Sequence, residues 1–306
     1  MRRKVDLEKR RGKLEMKKHF VFILSSAVLL CLTASAAPSA PADSRLQRVK
    51  TWAFAIGDGM LDGNVAARFA AYDLVIVDGE DVQAAEVAAL RKNGTIVLAY
   101  LSVGTIEKWR WWYSRVKNYR LEYWGDWGEW YADTSRDGYR NVIVREVAPW
   151  ILKKGVDGLF LDNTDMIETH PGQKAGMRIL VRRLSTLVRS SGKFLFTQNG
   201  EDSLGPTLIY YDGWNREDVS WTYDFDTGRY QKQPTQEINR ALNALRRIGA
   251  AGLLVTATDY TKAGDRAAEL LCVRNACAAG ALPFVSNIHL SRLPAAPLQC
   301  PYPPAS

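Results

Sequence analysis

Histidine is almost missing: the 306 residues contain three. A zinc centre built on several imidazoles is therefore improbable. A serine hydrolase is no better placed, since there is no G-x-S-x-G elbow and no histidine positioned to act as its base. No glycine-rich dinucleotide or phosphate loop follows an apolar run, which counts against open-sheet cofactor folds. No lysine ends a candidate strand, so a Schiff-base lyase or aldolase ranks low. Neither a metal nor a cofactor is expected. The segment Asp224-Phe225-Asp226-Thr227-Gly228 lacks the closing glutamate of a calcium loop and reads as a turn. No internal repeat suggests a solenoid.

Cysteine is also sparse, with Cys31, Cys272, Cys277 and Cys300. The apolar run from Phe20 to Leu32 is too short for a stable membrane anchor. Preceded by Met16-Lys17-Lys18 and followed by Ala34-Ser35-Ala36, it reads as a cleavable signal peptide over residues 1–36. Met16 would itself open a well-formed signal. Leu30 before Cys31 does not suit lipoprotein processing. The expectation is a secreted or periplasmic monomer starting near Ala37. Removal of the leader takes away nine Lys or Arg and three Asp or Glu, so the net charge of +8 falls to about +2. Basicity then no longer argues for nucleic acid. Three cysteines, Cys272, Cys277 and Cys300, remain in a compartment that permits one disulfide; a bond through Cys300 would tie the tail to the last helix, and the sequence does not choose the pair.

What is present is alternation. Apolar runs at Trp52 to Ile56, Asp73 to Val77, Ile96 to Leu101, Gly158 to Leu161, Phe194 to Thr197, Leu208 to Tyr211, Leu253 to Thr256 and Leu282 to Val285 are separated by amphipathic stretches. In the stretch from Thr235 to Ile248, Ile238, Leu242, Leu245 and Ile248 share one face, while Arg240, Asn243 and Arg246 take the other. Helical patterns also cover Asp81 to Lys92, Tyr139 to Lys154, Lys174 to Ser190 and Asp265 to Ala278. Eight such units in about 270 residues predict an α/β fold, a single (β/α)8 TIM barrel. We place the barrel at residues 51–293, with a linker at 37–50 and a proline-rich tail at 294–306.

In this architecture ligands meet the carboxyl ends of the strands. Asp162, Asn163 and Asp165 follow the run ending at Leu161, which makes Asp162 the first catalytic candidate. Asp78, Ser102, Gln198, Asn199, Glu201, Glu217, Asp218, Asp259 and Asn287 stand at comparable positions. Over thirty residues connect Leu101 to the helix near Tyr139, and ten aromatic rings from Trp109 to Tyr131 crowd into them. Such rings suit the C–H faces of sugars. Carboxylates in an aromatic-lined cleft are equipped to hydrolyse glycosidic bonds, one protonating the leaving oxygen and the other acting as nucleophile or base. Asp162 supplies one. The other is Glu201 or Glu217, and composition does not separate them.

The segments Ala99-Tyr100-Leu101-Ser102-Val103-Gly104, Trp130-Tyr131-Ala132-Asp133, Gly158-Leu159-Phe160-Leu161-Asp162-Asn163-Thr164-Asp165, Gln198-Asn199-Gly200-Glu201 and Glu217-Asp218 together resemble glycoside hydrolase family 114, related to endo-α-1,4-polygalactosaminidases. The resemblance runs from about Trp52 to Leu290. It implies a barrel that cleaves galactosamine-containing exopolysaccharide, with Asp162 and Glu217 as the catalytic pair. Asp78, Tyr100, Ser102, Asn163, Asp165, Gln198, Asn199, Glu201 and Trp214 are then expected to bind substrate, with Trp214 and Trp221 sheltering Glu217. The chain departs from the family pattern at Thr105, where a glutamate is common, and Glu107 stands two residues on. A noncatalytic polysaccharide-binding barrel is the alternative.

Overall fold

The computed structural model describes residues 44–301. The leader, its alternative start at Met16, and Cys31 lie outside the described residues. Eight parallel strands follow one another around one sheet: β1 Trp52–Ala55, β2 Leu74–Asp78, β3 Ile96–Ser102, β4 Gly158–Asp162, β5 Phe194–Gln198, β6 Gly213–Glu217, β7 Leu254–Tyr260 and β8 Leu282–Ser286. The seam between β1 and β8 is drawn together by Trp52, whose indole Nε1 donates to Leu282 O at 2.9 Å and whose ring packs on Phe284. The result is a nearly closed TIM barrel.

Its interior holds large apolar side chains, among them Phe54, Phe160 and Phe196, all fully buried. A Cβ on Gly213 would fall 2.2 Å from the Phe196 ring, so the strand can carry only glycine where that ring enters. Helices cover the outside. Thr235–Ala250 buries Ile238, Leu242, Leu245 and Ile248 and exposes Arg240, Asn243 and Arg246, as the periodicity predicts. The stretch expected to form one helix from Tyr139 to Lys154 is instead Asp137–Val142, a π-helical turn Ile143–Val147, and Ala148–Leu152. Pro149 explains the break, because it donates no N–H and its ring crowds the preceding turn.

One expected strand is wrong. Leu208 to Tyr210 lies in a 3-10 turn, Gly205–Tyr210, that Tyr211 ends, and the sixth strand is the more polar Gly213–Glu217. Pro206 starts the turn, and the apolar run lies against the Lys174–Arg189 helix, Ser185 Oγ donating to Tyr210 O at 3.2 Å.

Two hairpin insertions rise from the barrel. The long connection after β3 forms a three-stranded antiparallel sheet from Thr105–Ile106, Arg120–Trp124 and Glu129–Ala132. After β6, Trp221–Asp224 pairs with Arg229–Lys232. The turn of this second hairpin is closed by Asp224 Oδ1, which accepts from the backbone of Asp226 and Thr227. The tail is held by a Cys277–Cys300 disulfide to the end of the helix Arg266–Ala278, and Cys272 is a buried thiol.

Candidate active site

A cleft of about 700 Å³ opens at the carboxyl ends of the strands. Asp162 and Glu217 both line it, from the last positions of β4 and β6. Each carboxylate is gripped by a tyrosine from one side and an amide at or just after the end of β5. For Asp162, Tyr100 Oη donates to Oδ2 at 2.6 Å, and Gln198 Nε2 donates to Oδ1 at 2.6 Å. The backbone N–H of Asn163 adds a third donor at 2.6 Å, and its side-chain Nδ2 a fourth, to Oδ2 at 3.2 Å. For Glu217, the Tyr260 hydroxyl donates to Oε1, and Asn199 Nδ2 donates to Oε2 at 2.8 Å.

The donor facing Asp162 is imposed from below. Thr256 and Thr258 hydroxyls donate to Asn215 Oδ1 at 3.0 and 3.1 Å, which leaves Asn215 Nδ2 to face Gln198 Oε1 at 3.1 Å. Gln198 must then present its Nε2 to Asp162, since an amide has one acceptor side and one donor side. Hydroxyls on β7 thus orient a donor on β5 toward an acid on β4.

Burial raises the pKa of both acids, because the ionised form loses hydration. Glu217 rises to about 8 through burial and then the nearby Asp162 charge, against the lowering effect of Tyr260 and Asn199. Asp162 is also raised by burial, opposed by the hydrogen bonds from Tyr100, Gln198 and Asn163. Asp165 rises to about 7 by burial and repulsion from Asp162.

The chain turns sharply after each of these strand ends. Asn163, Asn199 and Asp218 have φ of 57°, 54° and 54° and immediately follow Asp162, Gln198 and Glu217. Asn and Asp tolerate this left-handed region better than other side chains. Backbones also approach closely here: a Cβ on Gly104 would lie 1.8 Å from Asn163 O.

A third wall of the cleft contains Arg110, which the sequence reading missed. Its guanidinium meets Asp78 Oδ1 and Oδ2 at 2.8 Å each and also pairs with Glu107. Glu129, from the first insertion, receives a hydrogen bond from Thr105 Oγ1 at 2.6 Å. Trp109, Trp124 and Trp127 line the same region. Trp124 stacks on Tyr131 at 5.4 Å and 8°, and Trp127 meets Phe225 of the second hairpin at 5.3 Å. The aromatic connection is divided, with Trp112 buried and Trp109 56% exposed.

The structure brings Asp78, Tyr100, Asn163, Asp165, Gln198 and Asn199 to the cleft with the two acids. Three expected binding residues do not line it. Glu201 turns away to pair with Arg216 at 3.2 Å and Arg240 at 3.5 Å. Trp214 is fully buried and donates through Nε1 to Asn199 O, because alternation along β6 puts it on the opposite face from Asn215 and Glu217. It therefore does not shelter Glu217; Tyr260 is the neighbour that touches the carboxyl. Ser102 lies beneath the cleft in a buried contact with Thr105 Oγ1 at 2.6 Å and receives Asn163 Nδ2 at 3.0 Å. Asp259 is equally structural, accepting from the backbone of Ser220 and Trp221. Among the described residues no group of three or more His, Cys, Asp or Glu is arranged to hold a metal ion. Tyr260, Arg110 and Glu129 escaped the strand-end rule. Tyr260 ends β7 only because that strand runs four residues beyond its apolar run, and the other two sit in an insertion.

Residues 33–297 match the profile of Glycoside-hydrolase family GH114. The chain belongs to glycoside hydrolase family GH114. The family is one of glycoside hydrolases. A variant of the PelA glycoside hydrolase domain from Pseudomonas aeruginosa superposes with a TM-score of 0.68 at 21% identity, over 79% of this chain and 96% of that one. Ega3 of Aspergillus fumigatus, solved in complex with galactosamine, gives a TM-score of 0.61 at 17% identity, over 80% and 93%. At these identities the two structures establish the shared barrel. The uncharacterized protein MJ1477 of Methanocaldococcus jannaschii is 26% identical over 219 residues, 61% of this chain. The GH114 chain matches only 58% of that relative's length.

Proposed function

We propose that this GH114 protein is an exported, endo-acting glycosidase that cleaves α-1,4-linked galactosamine and N-acetylgalactosamine polymer. The observation that carries this reading is the pair Asp162 and Glu217 at the rim of one cleft, each held by a tyrosine hydroxyl and by an amide, Gln198 at the end of β5 or Asn199 just after it. Glu217, with its pKa near 8, is protonated at neutral pH and serves as general acid. Asp162, whose carboxylate accepts from Tyr100, Gln198 and the backbone and side-chain N–H groups of Asn163, serves as nucleophile or as base for water. Asn163, Asp165 and Asn199 hold the sugar's polar groups.

The substrate is supported by the family, by the galactosamine in the Ega3 structure, and by the charge of the cleft. Asp58, Asp78, Asp81, Glu107 and Asp162 line it against Arg110, which suits a cationic polymer. Export is supported by the leader composition and by the Cys277–Cys300 bond, which fits an oxidising compartment. Among the described residues no helix is long and apolar enough to cross a membrane. The mature chain, residues 37–306 with the barrel at 51–293, works as a monomer.

Reducing-end release from α-1,4-galactosamine polymer, fully and partly N-acetylated, tests the proposal with the mature chain, Asp162→Asn and Glu217→Gln. Turnover by the native chain that vanishes in both variants is expected. Polymer binding without turnover in the native chain would overturn it in favour of a binding barrel.

A further inference from the structure

The cleft carries a carboxylate for which the proposed hydrolysis has no use. Glu129 pairs with Trp124 across the two hairpin strands, so both side chains leave the same face, and both line the cleft. Glu129 is 7% exposed. Its Oε2 accepts a hydrogen bond from the Thr105 hydroxyl, and among the described residues its Oε1 has no partner. Thr105 is held in turn by Ser102 and by Asn163 Nδ2 at 3.3 Å, so the carboxylate is fixed before any ligand arrives.

The charged groups facing Glu129 are Glu107, Asp162 and Arg110. Arg110 is already committed to Asp78 and Glu107. Glu129 is thus a buried acceptor among anions with no cation of its own. Burial, followed by the Glu107 charge, raises its pKa to about 8. Beyond the Thr105 hydroxyl, which already favours the ionised carboxylate, a positively charged donor would stabilise it most. Beside it, the Trp124 ring is held flat by Tyr131 and offers an apolar face.

We propose that Glu129 receives the ammonium group of a deacetylated galactosamine unit while Trp124 packs on the C–H face of the same sugar, so that this pair reads the acetylation state of the polymer. The proposal rests on the galactosamine reading above. An ammonium brings three donors and a charge to the free Oε1, whereas an acetamido group brings one neutral N–H and added bulk. At neutral pH the empty site holds a proton on Glu129, and the arriving ammonium displaces it.

Calorimetric binding of short α-1,4-galactosamine oligomers and their fully N-acetylated counterparts, in two buffers of different ionisation enthalpy, tests this with the mature chain, Glu129→Gln and Glu129→Asp. The native chain is expected to bind the deacetylated oligomer roughly tenfold or more tightly and to release a proton on doing so. Glu129→Gln can still accept from Thr105 and should fold normally, as its melting curve will report. It is expected to lose both the preference and the proton release while keeping its affinity for the acetylated oligomer. Glu129→Asp retains the charge at shorter reach and should keep part of the preference. Preference unchanged in Glu129→Gln, or tighter native binding of the acetylated oligomer, overturns the amine subsite while leaving the glycosidase reading intact. Failure of the native chain to bind either oligomer overturns the substrate class and the subsite with it.

Discussion

Tyr260 reaches from the end of β7 to donate its hydroxyl to Glu217 Oε1 at the end of β6. Both groups are desolvated, and burial followed by the Glu217 charge raises the phenol's pKa well above its ordinary value. The phenol therefore stays a donor throughout the working range. Its contact stabilises the ionised carboxylate and so holds Glu217 below the pKa that burial alone would set.

Tyr260→Phe removes that donor without changing the ring. The alkaline limb of kcat/KM, which reports the free enzyme's acid, is expected near pH 8 in the native protein and higher in the variant. The rate at the optimum should fall roughly tenfold to a hundredfold, the scale of a hydrogen bond to a charged group. A pH–rate profile of both proteins checks this, and an unmoved limb would refute the assignment of Glu217 as acid.

Stability should depend on pH through the same burial. Glu217 and Glu129 rise from 4.5 to about 8, and Asp165 and Asp259 from 3.8 to about 7. For each, the folded state binds the proton more tightly than the unfolded chain, so folding is favoured below the unfolded pKa and this contribution is lost as pH rises through the folded one. The melting temperature is expected to fall between about pH 5 and pH 8.5. Glu129→Gln should flatten that slope. Scanning calorimetry across the range decides it, and a melting temperature that rises toward pH 8.5 would contradict the shifts.

Gly104→Ala tests how closely two loops are fitted. The added Cβ would meet Asn163 O at 1.8 Å, which forces Asn163 and then Asp162 to move. A loss of about 1–3 kcal/mol in stability is expected from overpacking. Because the shift reaches Asp162, the proposed nucleophile or base, kcat should fall by up to roughly a hundredfold. Urea unfolding and steady-state kinetics read the two effects separately.

The barrel was legible because seven of its strands are apolar runs bounded by turns, and Asp162 was legible because it ends one of them. The sixth strand was not. Gly213-Trp214-Asn215-Arg216-Glu217 is polar because Asn215 faces inward onto Gln198, Thr256 and Thr258, a buried hydrogen-bonded layer that hydrophobicity does not reveal. Trp214 and Glu201 misled for a related reason. Proximity in sequence to an active carboxylate says nothing about the face of a strand, and alternation sends Trp214 away from the cleft while Arg216 holds Glu201 outside it. Glu129 and Arg110 were invisible to a rule that looks only at strand ends, because the insertion after β3 brings them back over the barrel mouth.

The left-handed residues at the rim have a consequence for how such sites are to be found. Asn163, Asn199 and Asp218 answer to the path of the backbone as well as to the groups they touch, and each marks the residue before it as one aimed into the mouth of the barrel. Three neighbouring strands, β4, β5 and β6, end in the same two-letter grammar: a polar side chain, then an Asn or Asp that bends the chain outward. Divergent barrels that have exchanged their chemistry would be expected to retain the second letter after the first has changed, so the punctuation of an active site can outlast its meaning.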